Sequence, residues 1–152
     1  MSRIDIPESA QQQLRNSITI TSLPVQWGDQ DAFGHVNNVI YFRWFESARI
    51  DLLEKFESSV SMSGQPLGPI LASINCDYRK QLRFPDTVHI GSRVAAIGRT
   101  SIQVRHQLFS EHWDGIAAEA SSVLVIFDYN LNRPVRVPDE LRLMLEKAGE
   151  AE

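Results

Sequence analysis

The chain has 152 residues, 43% of them hydrophobic and 22% charged, enough for one domain with its own core. A formal net charge of -4 gives no general attraction to nucleic acid, and the single cysteine, Cys76, excludes an internal disulfide and points to a reducing compartment. The opening Met-Ser-Arg-Ile-Asp-Ile-Pro-Glu lacks the basic start and apolar run of a signal peptide. No stretch approaches the ~18 apolar residues of a membrane span, so the expectation is a soluble, cytoplasmic, single-domain protein.

Residues 1–17 form a polar, Gln-rich arm with room for one helical turn after Pro7. The β-branched run from Ile18 to Trp27 predicts a strand, and Pro24, which cannot donate to a ladder, places it at an edge, bulge or break. A loop with Gly28, Asp29, Asp31 and Gly34 follows. Asn37-Asn38, good N-cap residues, then open one long helix running to about Glu57. Tyr41, Trp44, Phe45, Ala48, Leu52 and Phe56 recur at helical spacing, and Val39, Ile40, Phe42, Ile50 and Leu53 widen the apolar surface; such a helix is expected to be wrapped by other structure. Ser58 to Pro69 reads as a connecting loop.

The rest of the domain, to residue 137, reads as strands. Ile74, Cys76, Tyr78 and Leu82 alternate with Asn75, Asp77, Arg79 and Gln81 in the period of a half-buried strand, and Phe84-Pro85-Asp86 turns the chain. Val88 to Ile97 and Ile102 to Leu108 are the next two strands, separated by Gly98-Arg99-Thr100. Asp114-Gly115 is a hairpin signal ahead of the most hydrophobic strand, Ala117 to Phe127. Residues 138–152 form a C-terminal helix and tail, with Pro138, Asp139 and Glu140 in the first turn and Leu141, Met144, Leu145 and Ala148 as the apolar face. A strand, a long helix and four strands in an antiparallel meander make an α+β domain with one helix packed on a curved sheet.

The segment Asp29-x-Asp31-x-x-Gly34-His35-Val36-Asn37-Asn38-x-x-Tyr41, continuing to Phe45-Glu46-x-Ala48-Arg49, resembles the Gly-His-Val-Asn-Asn branch of the 4-hydroxybenzoyl-CoA thioesterase-like family, over roughly Ile18 to Val137. The resemblance implies a hotdog fold, an antiparallel sheet wrapped around one long central helix, and hydrolysis of an acyl-CoA thioester to free acid and CoA. It places the catalytic carboxylate at Asp31, as general base or as nucleophile, and the oxyanion donor at the backbone N–H of Asn38. The chemistry is sensible at this spacing, because a helix N-terminus presents outward-facing amides to a developing negative charge. The family's site lies at a subunit interface, which implies a homodimer or homotetramer; acyl-CoA is substrate, and no cofactor is implied. Where some members carry a histidine this chain has Asn38, so no second titratable ring is expected there.

Other residues take subsidiary roles. Asp29 reads as a loop organiser and Asn37 as the helix cap. His35 either organises the loop through its ring or helps to place substrate or water, and Tyr41 reads as core or pocket wall, with a catalytic hydroxyl as the alternative. Glu46 occupies the helix, where another hotdog branch keeps its carboxylate, but Arg49 three residues on is expected to pair with it on the helix surface. Arg79 and Arg83 are candidate phosphate contacts for coenzyme A, with Lys80 on the opposite side of the strand. Arg99 and Ser101 match the family's strand-start segment near the coenzyme. The four histidines, His35, His89, His106 and His112, show no metal-ligand spacing, so no metal site is expected. Cys76 falls on the apolar phase of its strand and reads as core, and no Gly-x-Ser-x-Gly elbow is present. The rival readings are a non-catalytic acyl-CoA or acyl-carrier binder and another hotdog reaction such as enoyl-CoA hydration, whose usual Asp-x-x-x-x-His arrangement is absent.

Overall fold

The computed structural model describes residues 4–56 and 66–150. In chain order it contains α1 (Glu8–Gln13), β1 (Thr19–Pro24), a 3-10 turn at Trp27–Asp29, α2 (Asn38–Glu54), β2 (Leu67–Tyr78), β3 (Thr87–Ile97), β4 (Ser101–Ser110), β5 (Gly115–Asp128), the short β6 (Arg133–Pro134) and α3 (Asp139–Glu150). Neighbouring strands are antiparallel in the order β1-β3-β4-β5-β2, with β6 added beside β5. One face of the curled sheet wraps partly around α2, which defines an α+β hotdog fold. Among the described residues no helix is long and apolar enough to cross a membrane.

The helix forms where its spacing and cap predict. The Asn37 side chain accepts from the Val39 N–H at 3.1 Å, and Tyr41, Trp44, Phe45, Ala48 and Leu52 are buried along one face. That face meets alternate residues of every long strand, among them Leu23, Val88, Ile90, Leu108, Ala118, Ala120 and Ile74, so the 3.6-residue period of the helix and the 2-residue period of the strands close one core. A second cluster joins Leu52 and Phe56 to Ile102, Val104, Leu124 and Ile126 and is sealed by Leu141 and Leu145 of α3. The arm packs as well: Ala10 and Leu14 are buried against Phe109, on the sheet face away from α2. The apolar coverage of α2 is not fully wrapped, for Val39 and Ile50 remain exposed.

Several expectations require correction. The four strands after α2 are not a simple meander; only β3, β4 and β5 follow one another, and β2 lies at the far edge beside β5. The reason is the helix, which links the β1 edge to the opposite edge, where Ile74 and Cys76 sit across from the small Ser122 and Ala120. Both edge strands tolerate proline, Pro24 in β1 and Pro69 in β2. The helix expected to reach about Glu57 ends at Glu54, with Lys55 as its C-cap, and the loop expected from Ser58 to Pro69 already becomes strand at Leu67; residues 57–65 lie outside the described residues. Strand β2 stops at Tyr78, short of Leu82, and β1 stops at Pro24, which leaves Trp27 exposed on the 3-10 turn.

The expected Glu46–Arg49 surface pair is replaced by a buried network. Arg49 turns inward, only 8% exposed, and its Nη1 donates to Ser122 Oγ at 3.3 Å. His106 lies between Ser92 Oγ, 2.8 Å from Nδ1, and Ser122 Oγ, 3.3 Å from Nε2. Burial, aided by the nearby Arg49 charge, drives the His106 pKa down to about 3, and burial also lowers that of Arg49. Local helix spacing favoured the surface pair, but β5 offers Arg49 a hydroxyl acceptor on the core side.

Candidate active site

The segment between β1 and α2 is built mainly from backbone hydrogen bonds. Asp29 Oδ2 accepts from the Gln26 N–H at 2.8 Å, and its carbonyl accepts from the Asn37 N–H at 3.0 Å, so Asp29 ties the 3-10 turn to the helix cap. Asp31 opens a tight turn in which its Oδ1 accepts from the Phe33 N–H at 2.9 Å and its carbonyl from the Gly34 N–H at 3.1 Å. Gly34 closes that turn at a φ of 81°, in the left-handed region that favours glycine. The Asp31 N–H returns to the His35 carbonyl at 2.8 Å. The turn is then pinned to the segment after β2: the Val36 N–H donates to the Leu82 carbonyl at 2.8 Å, and the Phe84 N–H to Gln30 Oε1 at 3.1 Å.

A cavity of about 680 Å³ opens at this junction, walled by Asp31, His35, Asn38 and Tyr41 on one side and by Tyr78, Arg79 and Lys80 on the other. Asp31 is exposed to it, and among the described residues its Oδ2 has no hydrogen-bond partner. The first turn of α2 shows the same spare capacity. Val39 N–H goes to the Asn37 side chain and Ile40 N–H to the Asn37 carbonyl at 2.9 Å, leaving the Asn38 N–H without an acceptor among the described residues. The residues that bear these two unengaged groups, Asp31 and Asn38, therefore line one cavity.

The surrounding groups hold this arrangement. Tyr41 is 2% exposed, and burial pushes its phenol well above the usual range, so the hydroxyl stays protonated; its ring meets Tyr78 edge-on at 4.8 Å. The Tyr78 hydroxyl, pushed up to about 12 chiefly by burial, donates to the Asn38 carbonyl at 3.4 Å. Arg83 Nη2 lies 3.1 Å from His35 Nε2; arginine has only donors, so Nε2 accepts and the ring proton sits on Nδ1. Arg79 pairs with Glu119 at 2.7 Å, and that bond holds the Glu119 carboxyl below its ordinary value.

Asp31, His35, Asn38, Tyr41 and Arg79 thus line a single cavity, with Arg83 behind His35. Lys80 joins them, against the alternation expected of it, because the strand has already ended at Tyr78. Tyr78, which strand alternation alone does not mark for the site, joins it through a contact with Asn38 that spans 40 positions of sequence. Arg99 and Ser101 are not brought to this cavity. They sit at the β3–β4 turn, where the Arg99 carbonyl accepts from the Val137 N–H at 2.8 Å, at the other end of the 11-residue β3, roughly 35 Å along the strand. Cys76 packs against the core and burial pushes its thiol up to about 11, as suits a core residue. Among the described residues no three His, Cys, Asp or Glu side chains cluster as a metal site would need.

The fold and this junction define a hotdog protein with a loop carboxylate set before the N-terminus of its central helix. Residues 25–145 match the thioesterase-like superfamily, and the chain belongs to that family. It is 27% identical to the long-chain acyl-CoA thioesterase FadM of Escherichia coli (strain K12) over 127 residues, 84% of this chain and 96% of that protein. It is 28% identical to the chloroplastic acyl-acyl carrier protein thioesterase ATL3 of Arabidopsis thaliana over 123 residues, 79% of this chain and 63% of that one. Among solved structures, the PA2801 protein of Pseudomonas aeruginosa superposes with a TM-score of 0.73 at 30% identity, covering 84% of this chain and 98% of that one.

Proposed function

We propose that this protein hydrolyses acyl-CoA thioesters to free acid and CoA, as a member of the 4-hydroxybenzoyl-CoA thioesterase-like branch, with Asp31 as the catalytic carboxylate. The observation that carries the reading is the shared cavity of Asp31 and the unengaged Asn38 N–H. A thioester carbonyl held between them has an activating carboxylate on its carbon side and a hydrogen-bond donor on its oxygen. Two routes are open to this pair. As general base, Asp31 takes a proton from water, whose oxygen attacks the carbonyl carbon; the Asn38 amide stabilises the oxyanion, and collapse expels the thiolate, which is then protonated. As nucleophile, Asp31 forms a mixed anhydride that water then opens. Heavy oxygen from labelled water enters the Asp31 carboxylate only by the second route, when water attacks the anhydride at the aspartyl carbonyl.

His35, Tyr41, Arg79 and Arg83 are the proposed substrate contacts. Arg99 and Ser101 have no part in the cavity of one chain, so their proposed coenzyme contact falls on the site of a neighbouring subunit. A homodimer or homotetramer is the proposed assembly, supported by the edge of β2 that has no partner strand among the described residues, where Ile70 and Leu71 are 38% and 40% exposed. Purified protein assayed for free thiol release across short-chain, long-chain and aryl CoA thioesters tests the activity. Turnover of at least one class is expected. Tight CoA binding with no turnover of any class would make the protein a binding module instead.

A further inference from the structure

On the sheet face away from α2, a serine, a histidine and a carboxylate are joined in one hydrogen-bonded chain that the chemistry above does not use. Ser22 Oγ lies 2.7 Å from His89 Nδ1, and His89 Nε2 lies 2.7 Å from Glu111 Oε2. Alternation fixes the face: Leu23, Val88 and Ile90 point to the α2 core, so Ser22 and His89 point the other way, where Ile20 and Phe109 pack with the arm. His89 is fully buried, Ser22 is half-buried, and Glu111 reaches solvent. A carboxylate can only accept, so the bond to Glu111 puts the ring proton on Nε2 and leaves Nδ1 with the lone pair that takes the Ser22 hydroxyl. His106 differs in kind, for its ring lies between two serine hydroxyls, with no carboxylate among its hydrogen-bond partners.

The strand register supplies one more group. β1 is an edge strand, paired only with β3 among the described residues. The Val25 N–H donates to the Asp86 carbonyl at 2.9 Å, continuing the register in which Ser22 faces His89 and Pro24 faces Thr87. Opposite residues that exchange hydrogen bonds alternate with pairs that do not, so Ser22 and His89 form a non-hydrogen-bonded pair. Such pairs hold their side chains closer, which accounts for the short Ser22–His89 contact, and turn their backbone N–H groups away from each other. The Ser22 N–H therefore points to the open edge of the sheet.

We propose that Ser22, His89 and Glu111 form a second hydrolytic site, in which Ser22 is acylated by uncharged carboxylic esters. Ser22 Oγ gives its proton to His89 Nδ1 as it attacks the ester carbonyl carbon, and the Ser22 N–H is the donor available to the oxyanion. Collapse breaks the bond to the alcohol oxygen, and the alcohol leaves with the proton from Nδ1. Water then attacks the acyl-serine, Nδ1 takes its proton and returns it to Oγ, and the free acid departs. Glu111 touches no reacting atom; it is a positioning residue that keeps the ring proton on Nε2. Its negative charge disfavours an anionic coenzyme A ester here, while Ile20, on the same face of β1, offers the acyl group an apolar wall. Asp31 takes no part in this reaction.

The full chain is incubated with an alkyl fluorophosphonate, whose phosphorus an activated serine attacks with loss of fluoride, and is followed by intact mass and peptide mapping. One adduct is expected, on Ser22, and Ser22→Ala is expected to abolish it. Glu111→Gln keeps an oxygen that accepts from Nε2 but removes the charge; it is expected to slow labelling by about tenfold or more while circular dichroism stays that of the wild type. No adduct on Ser22 in the wild type would overturn the site. Labelling at the wild-type rate in folded Glu111→Gln would overturn the positioning role and the triad with it. Because His89 is fully buried, its substitution can unfold the chain, so the wild-type adduct and the exposed Glu111 position carry the test.

Discussion

Polar side chains occupy two contrasting settings on either side of α2. Inside the core, Arg49, His106, Ser92 and Ser122 bond to one another and are almost completely shielded from water. At the N-terminus of the same helix, one Asp31 carboxylate oxygen and the Asn38 amide have no hydrogen-bond partner among the described residues, and both residues line a cavity. Buried polar groups must be satisfied from within or the fold loses stability, so their hydrogen-bonding capacity is consumed by structure. Groups that retain capacity at a rigid junction are available to a substrate. The downward shift of the His106 pKa therefore belongs to the structural setting, and the site is marked by unengaged atoms.

Substitutions can break this contrast from either side. After the Asp31 carboxylate itself, the largest effect is expected from Asn38→Pro. Proline suits the first helical position, and Asn37, at ψ 139°, already has the backbone that precedes proline, so the change deletes the N–H and the Asn38 carboxamide while the helix start is kept. Turnover should fall about 10²–10³-fold while circular dichroism stays that of the wild type. An unchanged kcat would remove the amide from the mechanism.

The next effect concerns acid. The His106 pKa is about 3 folded against 6.5 as the unperturbed value, so the unfolded chain takes up the proton first as pH falls. Its contribution to stability is complete above pH 6.5 and declines as pH drops toward 3, by on the order of 3 kcal/mol at pH 4 at ~1.4 kcal/mol per unit. Denaturant melts between pH 7 and 4 should therefore be steeper with pH in the wild type than in His106→Asn; equal slopes would exclude the histidine as the cause. Ser122→Ala removes the hydroxyl shared by Arg49 and His106 and should lower stability by about 1–3 kcal/mol without reducing turnover per folded molecule. The smallest effect is that of Asn37→Ala, which loses the helix cap and about 1 kcal/mol, measurable as a shift in the urea midpoint.

The parts of the molecule that were legible in the sequence are those set by near neighbours. The spacing from Tyr41 to Leu52 and the Asn37 cap announce α2, and the Asp29-to-Asn38 turn is closed by bonds across two to eight positions. What was not legible depends on distant partners. The choice of β5 as the neighbour of β2 follows from where α2 delivers the chain, which no period in β2 reports. Arg49 had a local partner three residues away and took one 73 residues away. The chain from Ser22 through His89 to Glu111 forms only because β1 lies beside β3, which joins residues 67 and 22 positions apart, and no spacing in the sequence carries a sign of it.

The central claim is that Asp31 carries the chemistry and not the fold. Asp31→Asn keeps the Oδ1 that accepts from the Phe33 N–H and removes only the carboxylate charge. Measured side by side, kcat for the best thioester should fall by about 10²–10⁴-fold while the unfolding midpoint stays within about 0.5 kcal/mol of the wild type. Full turnover in Asp31→Asn, with the protein folded, would contradict the account.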